Sequence, residues 1–587
     1  MKNGAIWFAL PALAALLLPV AACSKSPPTA KPRGTSATVV AAATNNAEVV
    51  CVVASVHPLA TDAGIAAFEG GGNAVDAAIA TAITLGVVDG FNSGLGGGSF
   101  ILIRRTDGLI VAIDGRETAP AAATRDMFLR DGQADAELSQ TGPLAVAVPG
   151  ALAAYDLALK KHGNRELKDL LLPAAKLAED GFVINSVYAD RLKSAADKLN
   201  KFAGSRRALL KSDGKPYADG ETLRQPDLAR SYRALAEQGI DWFYRGPYAE
   251  NVARWMADNG GLLTAQDFAD YAPVEREPIE STYRGLTIVG FPPPSSGGVH
   301  VAQMLNVLEN FDLKNEYQAD RARALHIVAE AMKLAFADRA YWLGDADFVD
   351  VPRGLVDRAY AKALAQRIDV DKASEVPIHG EPPRATDDLF GQKHTTHIAA
   401  ADSEGNWVAI TTTVNTTFGS KVIVPGTGIV LNNEMDDFSA QPGKPNAFGL
   451  VGAENNAVAP GKRPLSSMTP TIVLRDGKPV MTVGAAGGPK IITQALLAIV
   501  RRYDFEQSLA TAVASPRIHH QWQPNELAVE ESMPGDIVEK LTALGHDIKL
   551  AGSVGVTQAV ELDPEGNLAG VHDPRVPGKA AVGKRPK

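Results

Sequence analysis

At residue 395 the chain changes character, and no other feature constrains its fold as much. Before that point, residues 150–250 carry apolar residues at helical spacing (ALAAYDLALKKHG, ELKDLLLPAAKLAEDG, YRALAEQG, YAENVARWMADNG). Further helices are predicted from Val299 and over 323–341. After it, residues 395–400, 407–415 and 428–431 are rich in Thr, Val and Ile, with turns at SEGN and PGTG. The run TPTIVLRDGKPVMTVGAAGG reads as strand, Asp-Gly turn and strand, and a helix is predicted from Lys490. Toward the amino terminus, 49–56 reads as a strand, 57–70 and 71–86 as helices, and FILIRR and 109–113 as strands. Helices before and strands after predict an α/β sandwich of two non-identical halves.

Two glycine- or proline-rich passages punctuate this pattern. NSGLGGGS at 92–99 lacks dinucleotide spacing and a phosphate-binding lysine, so it reads as backbone packed closely on other backbone. FPPPSSGG at 291–298 reads as a turn, and 368–391 as an exposed, mobile stretch.

The first residues have the composition of an export signal. Lys2 precedes an apolar run over 5–20, then Ala21, Ala22 and Cys23. That run is shorter than the roughly 20 residues a membrane span needs. The pattern predicts a signal peptide over 1–22 and lipidation of Cys23, on the periplasmic side of a bacterial envelope; Ser24 favours the outer membrane. The alternative is a simple cut after Ala22. Residues 23–47 read as a lipidated cysteine and flexible tether, and folding is expected from Glu48. If Cys23 is lipidated, only Cys51 remains, so no internal disulfide holds the roughly 540 residues beyond the tether. The net charge of -9, without basic blocks, gives no support for nucleic-acid binding. His57, His300, His326 and His394 show no ligand spacing, so no metal is expected.

Chemistry concentrates around Gln392–Lys393–His394–Thr395–Thr396–His397. A hairpin symmetric about Glu404 sets residue 395 opposite 413, gathering Thr395, Thr413 and Asn415 at one sheet end. A threonine hydroxyl is a weak nucleophile without a base. A cut before Thr395 would create an α-amine of pKa about 7.7–8.0, able to take the hydroxyl proton directly or through water. One residue then supplies nucleophile and base.

The run THIAAADSEGNWVAITTTVNTTFGS resembles the gamma-glutamyltransferase signature. LNNEMDDFS, RPLSSMTPT, AAGG, GGNAVDAAIA, DGRETAP and FPPPSSGG match the same family in order, over about 50–580. The resemblance implies a four-layer αββα sandwich of the N-terminal-nucleophile hydrolases, cut between His394 and Thr395 into a large chain (48–394) and a small chain (395–587). It implies that Thr395 attacks first its own peptide bond and then a gamma-glutamyl amide, glutathione above all. The resulting ester passes to water, an amino acid or a peptide. The resemblance further implies that Gly487 and Gly488 form the oxyanion hole and that Thr413 orients Thr395. Arg116, Ser466 and Ser467 take the donor carboxylate, and Asn415, Glu434 and Asp437 its ammonium. No cofactor is implied. The lid loop PGKPNAFGLVG departs from the family, placing Phe448 where a tyrosine is usual. Two other readings stand: an N-terminal-threonine acylase acting on glutaryl or other acyl amides, and an inactive periplasmic module that binds gamma-glutamyl compounds.

Overall fold

The structure, a computed structural model, describes residues 1, 37–43, 48–383 and 396–587. Cys23, His394 and Thr395 lie outside the described residues, and with them the expectations for lipidation and the cleaved bond.

Two seven-stranded antiparallel sheets form the centre. In chain order their strands begin with β1 (Val39–Ala42), β2 (Glu48–Ser55), β3 (Gly98–Arg104), β4 (Ile110–Gly115) and β5 (Val274–Arg276). Next come β6 (Ile279–Tyr283), β7 (Leu286–Gly290), β8 (Thr396–Asp402), β9 (Trp407–Thr413) and β10 (Thr471–Arg475). The last are β11 (Lys478–Ala486), β12 (Val556–Leu562), β13 (Leu568–His572) and β14 (Lys579–Pro586). One sheet is ordered β1-β13-β12-β11-β10-β7-β6, the other β14-β2-β8-β9-β3-β4-β5. Each therefore takes strands from both sides of residue 395. The two halves of the sequence interleave within both sheets, and neither sheet belongs to one half.

Strand alternation divides the core into layers. On β8, Ala399 and Ala401 face the first sheet, in a cluster with Phe100, Phe291 and Ile472. Ile398 and Ala400 face the other way, onto the layer that holds helices Pro58–Glu69 and Ala74–Val88. Helices Ser296–Leu308, Arg321–Trp342 and Lys490–Tyr503 cover the outer face of the first sheet. The order is helix, sheet, sheet, helix: the expected αββα sandwich. With both faces covered, its strands read as unbroken apolar runs rather than alternating ones.

Local chemistry explains where the elements depart from expectation. The second helix starts at Ala74, not Gly71. Asn73 caps it by accepting from Val75 N at 2.8 Å, and Asp76 Oδ2 accepts from Asn73 N at 2.7 Å. Helix Ser296–Leu308 starts before Val299 because Ser295 Oγ accepts from Gly297 N at 2.9 Å. Strand β9 stops at Thr413, since Asn415 adopts φ 77°. Residues 428–431 form no strand; the segment makes only an isolated bridge between Ile423 and Val430. The tether reading fails for Val39–Ala42, which zips onto β13 as an edge strand. Residues 369–383 are irregular, as expected, but docked. Trp522 Nε1 donates to Val376 O at 2.6 Å and Trp342 Nε1 to Gly380 O at 3.1 Å. Cys51 is a free, buried thiol.

The glycine passage is a close backbone approach, as read. A Cβ on Gly97 would sit 1.7 Å from Thr413 O, and one on Gly96 2.1 Å from Val430 O.

Candidate functional site

The hairpin register is the predicted one: Thr396 opposes Thr412 and Ala401 opposes Trp407. Thr413 then pairs with Gly98, and Ser99 with Gly115. These pairings bring the start of β8, the end of β9, the start of β3 and the end of β4 to one edge. In the facing sheet, Gly484 of β11 lies under the His397 ring, where a Cβ would approach to 2.5 Å. The end of β11 thus stands beside the start of β8. Gly487 (φ 130°) and Gly488 (φ 65°) follow, in backbone conformations that favour glycine.

A cavity of about 410 Å³ opens at this edge, lined by Gly487, Gly488, Asn415, Phe448, Asp89 and His57. Asn415 is held from two sides. Its N–H donates to Thr413 Oγ1 at 2.7 Å and its Nδ2 to Asn433 O at 2.9 Å. Phe448 reaches the cavity from the predicted lid loop, whose turn is fixed by Phe448 N donating to Asn446 Oδ1 at 3.0 Å.

At the end of β4, Arg116 is fully buried among three carboxylates. Its Nη1 bonds Glu434 Oε1 and lies 3.4 Å from Glu117 Oε2, while Nη2 donates to Asp437 Oδ2 at 2.7 Å. Nε donates to Pro464 O at 3.2 Å, tying the cluster to the loop that bears Ser466 and Ser467. Asn456 extends that tie, donating to Asp437 O at 2.7 Å and accepting from Leu465 N at 2.9 Å. Burial disfavours the charge on Arg116, but the carboxylates outweigh it and hold its pKa above the ordinary value. Burial pushes Glu434 well above the usual carboxylate range and Glu117 to about 7, with Arg116 opposing both. Three acids thus face Arg116, with Arg339 the one further guanidinium near Asp437 among the described residues, so the cluster is short of positive charge. Ser467 Oγ, Asn415 Oδ1 and Glu434 Oε2 are buried without hydrogen-bond partners among the described residues. Such groups are rare unless a ligand or water serves them.

The structure therefore gathers Arg116, Glu434, Asp437, Ser466 and Ser467 around one cluster. It sets Asn415, Gly487, Gly488 and Phe448 on the neighbouring cavity. Asp114, in the same motif as Arg116, is structural: it accepts from Arg116 N at 2.8 Å and Arg276 Nε at 2.7 Å.

Two residues that sequence reasoning missed belong here. Arg339 is buried in a long helix, its Nε donating to Ser296 Oγ at 3.1 Å. Burial lowers its pKa to about 9, with Asp437 opposing. Nothing in the helical pattern distinguishes it from an exposed helix charge. Asp89, at the end of helix Ala74–Val88, accepts from Thr396 Oγ1 at 3.3 Å. Burial raises its pKa from 3.8 to about 7, while Asn92, Thr396 and Arg191 oppose. A carboxyl whose folded pKa is raised contributes stability that is fully present below the unfolded value and lost as pH rises through the folded one. Asp89→Asn is therefore expected to be neutral near pH 4 and stabilising above pH 7, by up to about 4 kcal/mol. Thermal midpoints of variant and parent across that range check it; a constant difference contradicts it.

Two packed antiparallel sheets between helix layers, with a glycine pair facing the strand that follows position 395, define the N-terminal-nucleophile hydrolase class. The comparisons narrow this. The family model described as gamma-glutamyltranspeptidase matches residues 60–583. A glutathione hydrolase proenzyme of Escherichia coli (strain K12) is 47% identical over 529 residues, covering 89% of this chain and 90% of that protein. A cephalosporin acylase structure from Bacillus halodurans aligns with TM-score 0.83 and 30% identity, covering 94% of this chain and 98% of that one. A Helicobacter pylori gamma-glutamyltranspeptidase structure aligns with TM-score 0.53 and 42% identity, over 55% of this chain and 92% of that one. The chain belongs to the gamma-glutamyltranspeptidase family.

Proposed function

We infer that this protein is a self-processing gamma-glutamyltransferase and glutathione hydrolase. The observation that carries the reading is the charge shortfall around Arg116. Glu117, Glu434 and Asp437 surround Arg116, with Arg339 as a second guanidinium near Asp437, and Ser467 Oγ and Asn415 Oδ1 are unserved among the described residues. A donor with both an α-ammonium and an α-carboxylate suits that site: the acids take the ammonium, and Arg116 shares its fork with the carboxylate beside Ser466 and Ser467. A glutaryl group brings a carboxylate but no cation, and leaves the acids unrelieved.

In this reading, cleavage between His394 and Thr395 gives a large and a small chain. The Thr395 hydroxyl, its proton taken by the new α-amine, attacks the gamma-carbonyl. The N–H groups of Gly487 and Gly488 meet the developing oxyanion. The amine leaves, and water or an amino acid resolves the ester. Thr413, through its strand-end position, orients the nucleophile. The signal before Cys23 supports a lipid anchor on the periplasmic side. Among the described residues no helix is long and apolar enough to cross a membrane.

The test is donor choice. Hydrolysis of gamma-glutamyl and glutaryl p-nitroanilides by the matured protein is compared as kcat/KM. A gamma-glutamyl preference of at least about 10-fold is expected, since an unpaired buried charge costs ~1–3 kcal/mol or more. Equal rates, or a glutaryl preference, favour the acylase reading.

Phe448 carries a second expectation. It lines the cavity by area but has no hydroxyl to bond across it. A tyrosine there can close on Asn415 and restrict water. Phe448→Tyr should raise the ratio of transfer to hydrolysis, measured with and without a dipeptide acceptor; an unchanged or lower ratio contradicts this.

A further inference from the structure

Far from the cleft in sequence, helix Arg321–Trp342 presents His326 and Glu330 one turn apart, on one face. His546 packs against them from beyond helix Gly535–Ala543. One ligand-capable atom from each of the three lies within 4.8 Å of the others. All three side chains are buried. Sequence spacing does not display the cluster, because 220 residues separate the two histidines.

The tautomers are set by the neighbours. His326 Nε2 lies 2.8 Å from Asp369 O, a carbonyl that can only accept, so Nε2 carries the proton and Nδ1 holds a lone pair. Metal-ligating histidines are oriented by the same kind of second contact. His326 Nδ1 in turn lies 2.7 Å from His546 Nε2. The Glu330 carboxylate accepts from Lys333 Nζ at 2.7 Å and Ser374 N at 3.0 Å, which leaves lone pairs free. A cavity of about 420 Å³, lined by His546, Asp369 and Lys333 among others, adjoins the cluster and leaves room for a water.

We propose that His326 Nδ1, His546 Nε2 and a Glu330 carboxylate oxygen form a binding site for a divalent transition metal of the zinc type. Two imidazoles and a carboxylate suit such an ion, with water in the fourth position. Binding shifts the His546 proton from Nε2 to Nδ1, with no net proton release. It also opens the nitrogen pair to ~3.3 Å, the separation that Zn–N bonds of 2.0–2.1 Å require. The Lys333 ammonium opposes the ion. If the chain is cut before Thr395, two ligands belong to the large chain and one to the small, and the ion ties the two together.

Co²⁺ titration of the untagged full-length protein, followed by visible absorption and reversed with Zn²⁺, tests the site. One Co²⁺ per protein with a tetrahedral-type spectrum is expected. His546→Ala should bind at least ~100-fold more weakly, as losing a ligand costs no less than losing an outer-shell partner. Lys333→Gln should bind more tightly, which a purely structural histidine pair does not explain. Unchanged donor hydrolysis in His546→Ala shows that the fold is kept; if that variant does not fold, the Lys333→Gln comparison decides. The uncut Thr395→Ala chain should bind Co²⁺ equally, so the outcome is separable from that of the hydrolase reading. No saturable absorption in the parent overturns the proposal, and so does an affinity unchanged in both folded variants.

Discussion

Thr395→Ala should yield one uncut chain and lose at least about 10⁴-fold in donor hydrolysis, because a single residue supplies the nucleophile for both processing and turnover. The two losses arise by different routes. Processing fails for want of the hydroxyl. Turnover fails for want of both the hydroxyl and the α-amine, which the uncut precursor lacks. Supplying the amine separately distinguishes them. A small chain that carries Thr395→Ala, expressed from position 395 onward and assembled with the large chain, should still be inactive. The scaffold itself should survive, since β8 pairs with β9 over the whole run from Thr396 to Ala401. Gel analysis and anilide hydrolysis read both effects. Residual cleavage at the same bond would place the processing nucleophile elsewhere.

Arg116→Met should be the most destabilising single change in the site, costing on the order of 3–5 kcal/mol. The side chain is fully buried and is the common partner of Glu117, Glu434 and Asp437. Its removal leaves three acids in a low-dielectric cluster, and they respond by holding protons. Burial already raises Glu117 to about 7 against the pull of Arg116, so without the guanidinium its pKa moves higher still. Folded pKa values raised above the unfolded ones mean stability present at low pH and lost as pH rises. The deficit of Arg116→Met relative to the parent should therefore be smaller at pH 5 than at pH 8. Thermal midpoints at the two pH values check this, and a deficit that shrinks as pH rises contradicts it.

These expectations rest on features that differ in how openly the sequence displays them. Hairpin β8–β9 is readable to the residue, because a turn at SEGN between two β-branched runs admits one symmetric register, and Thr396 opposes Thr412 as that register requires. The close approach of Gly97 to Thr413 is readable as a type of contact but not as a partner, since glycine density announces crowding without saying what crowds. Interleaving of the sheets is not readable. Pairing β2 with both β14 and β8 joins segments hundreds of residues apart, and no local pattern encodes that. For the same reason Val39–Ala42 reads as tether: four short residues become a strand only because β13 offers an open edge. In the site, the motifs name Arg116, Glu434 and Asp437 individually. That they form one cluster with an excess of acid emerges only when the end of β4 and the 434–437 turn meet. Arg339 and Asp89 stay hidden because long-range burial, not neighbouring sequence, gives each its character.

Intact-mass measurement with N-terminal sequencing of the purified protein tests the central claim most directly. Two chains, the smaller beginning Thr395-Thr396-His397, are the predicted result. A single chain that persists under conditions permitting maturation would contradict it, and would move the inactive binding module ahead of the enzyme.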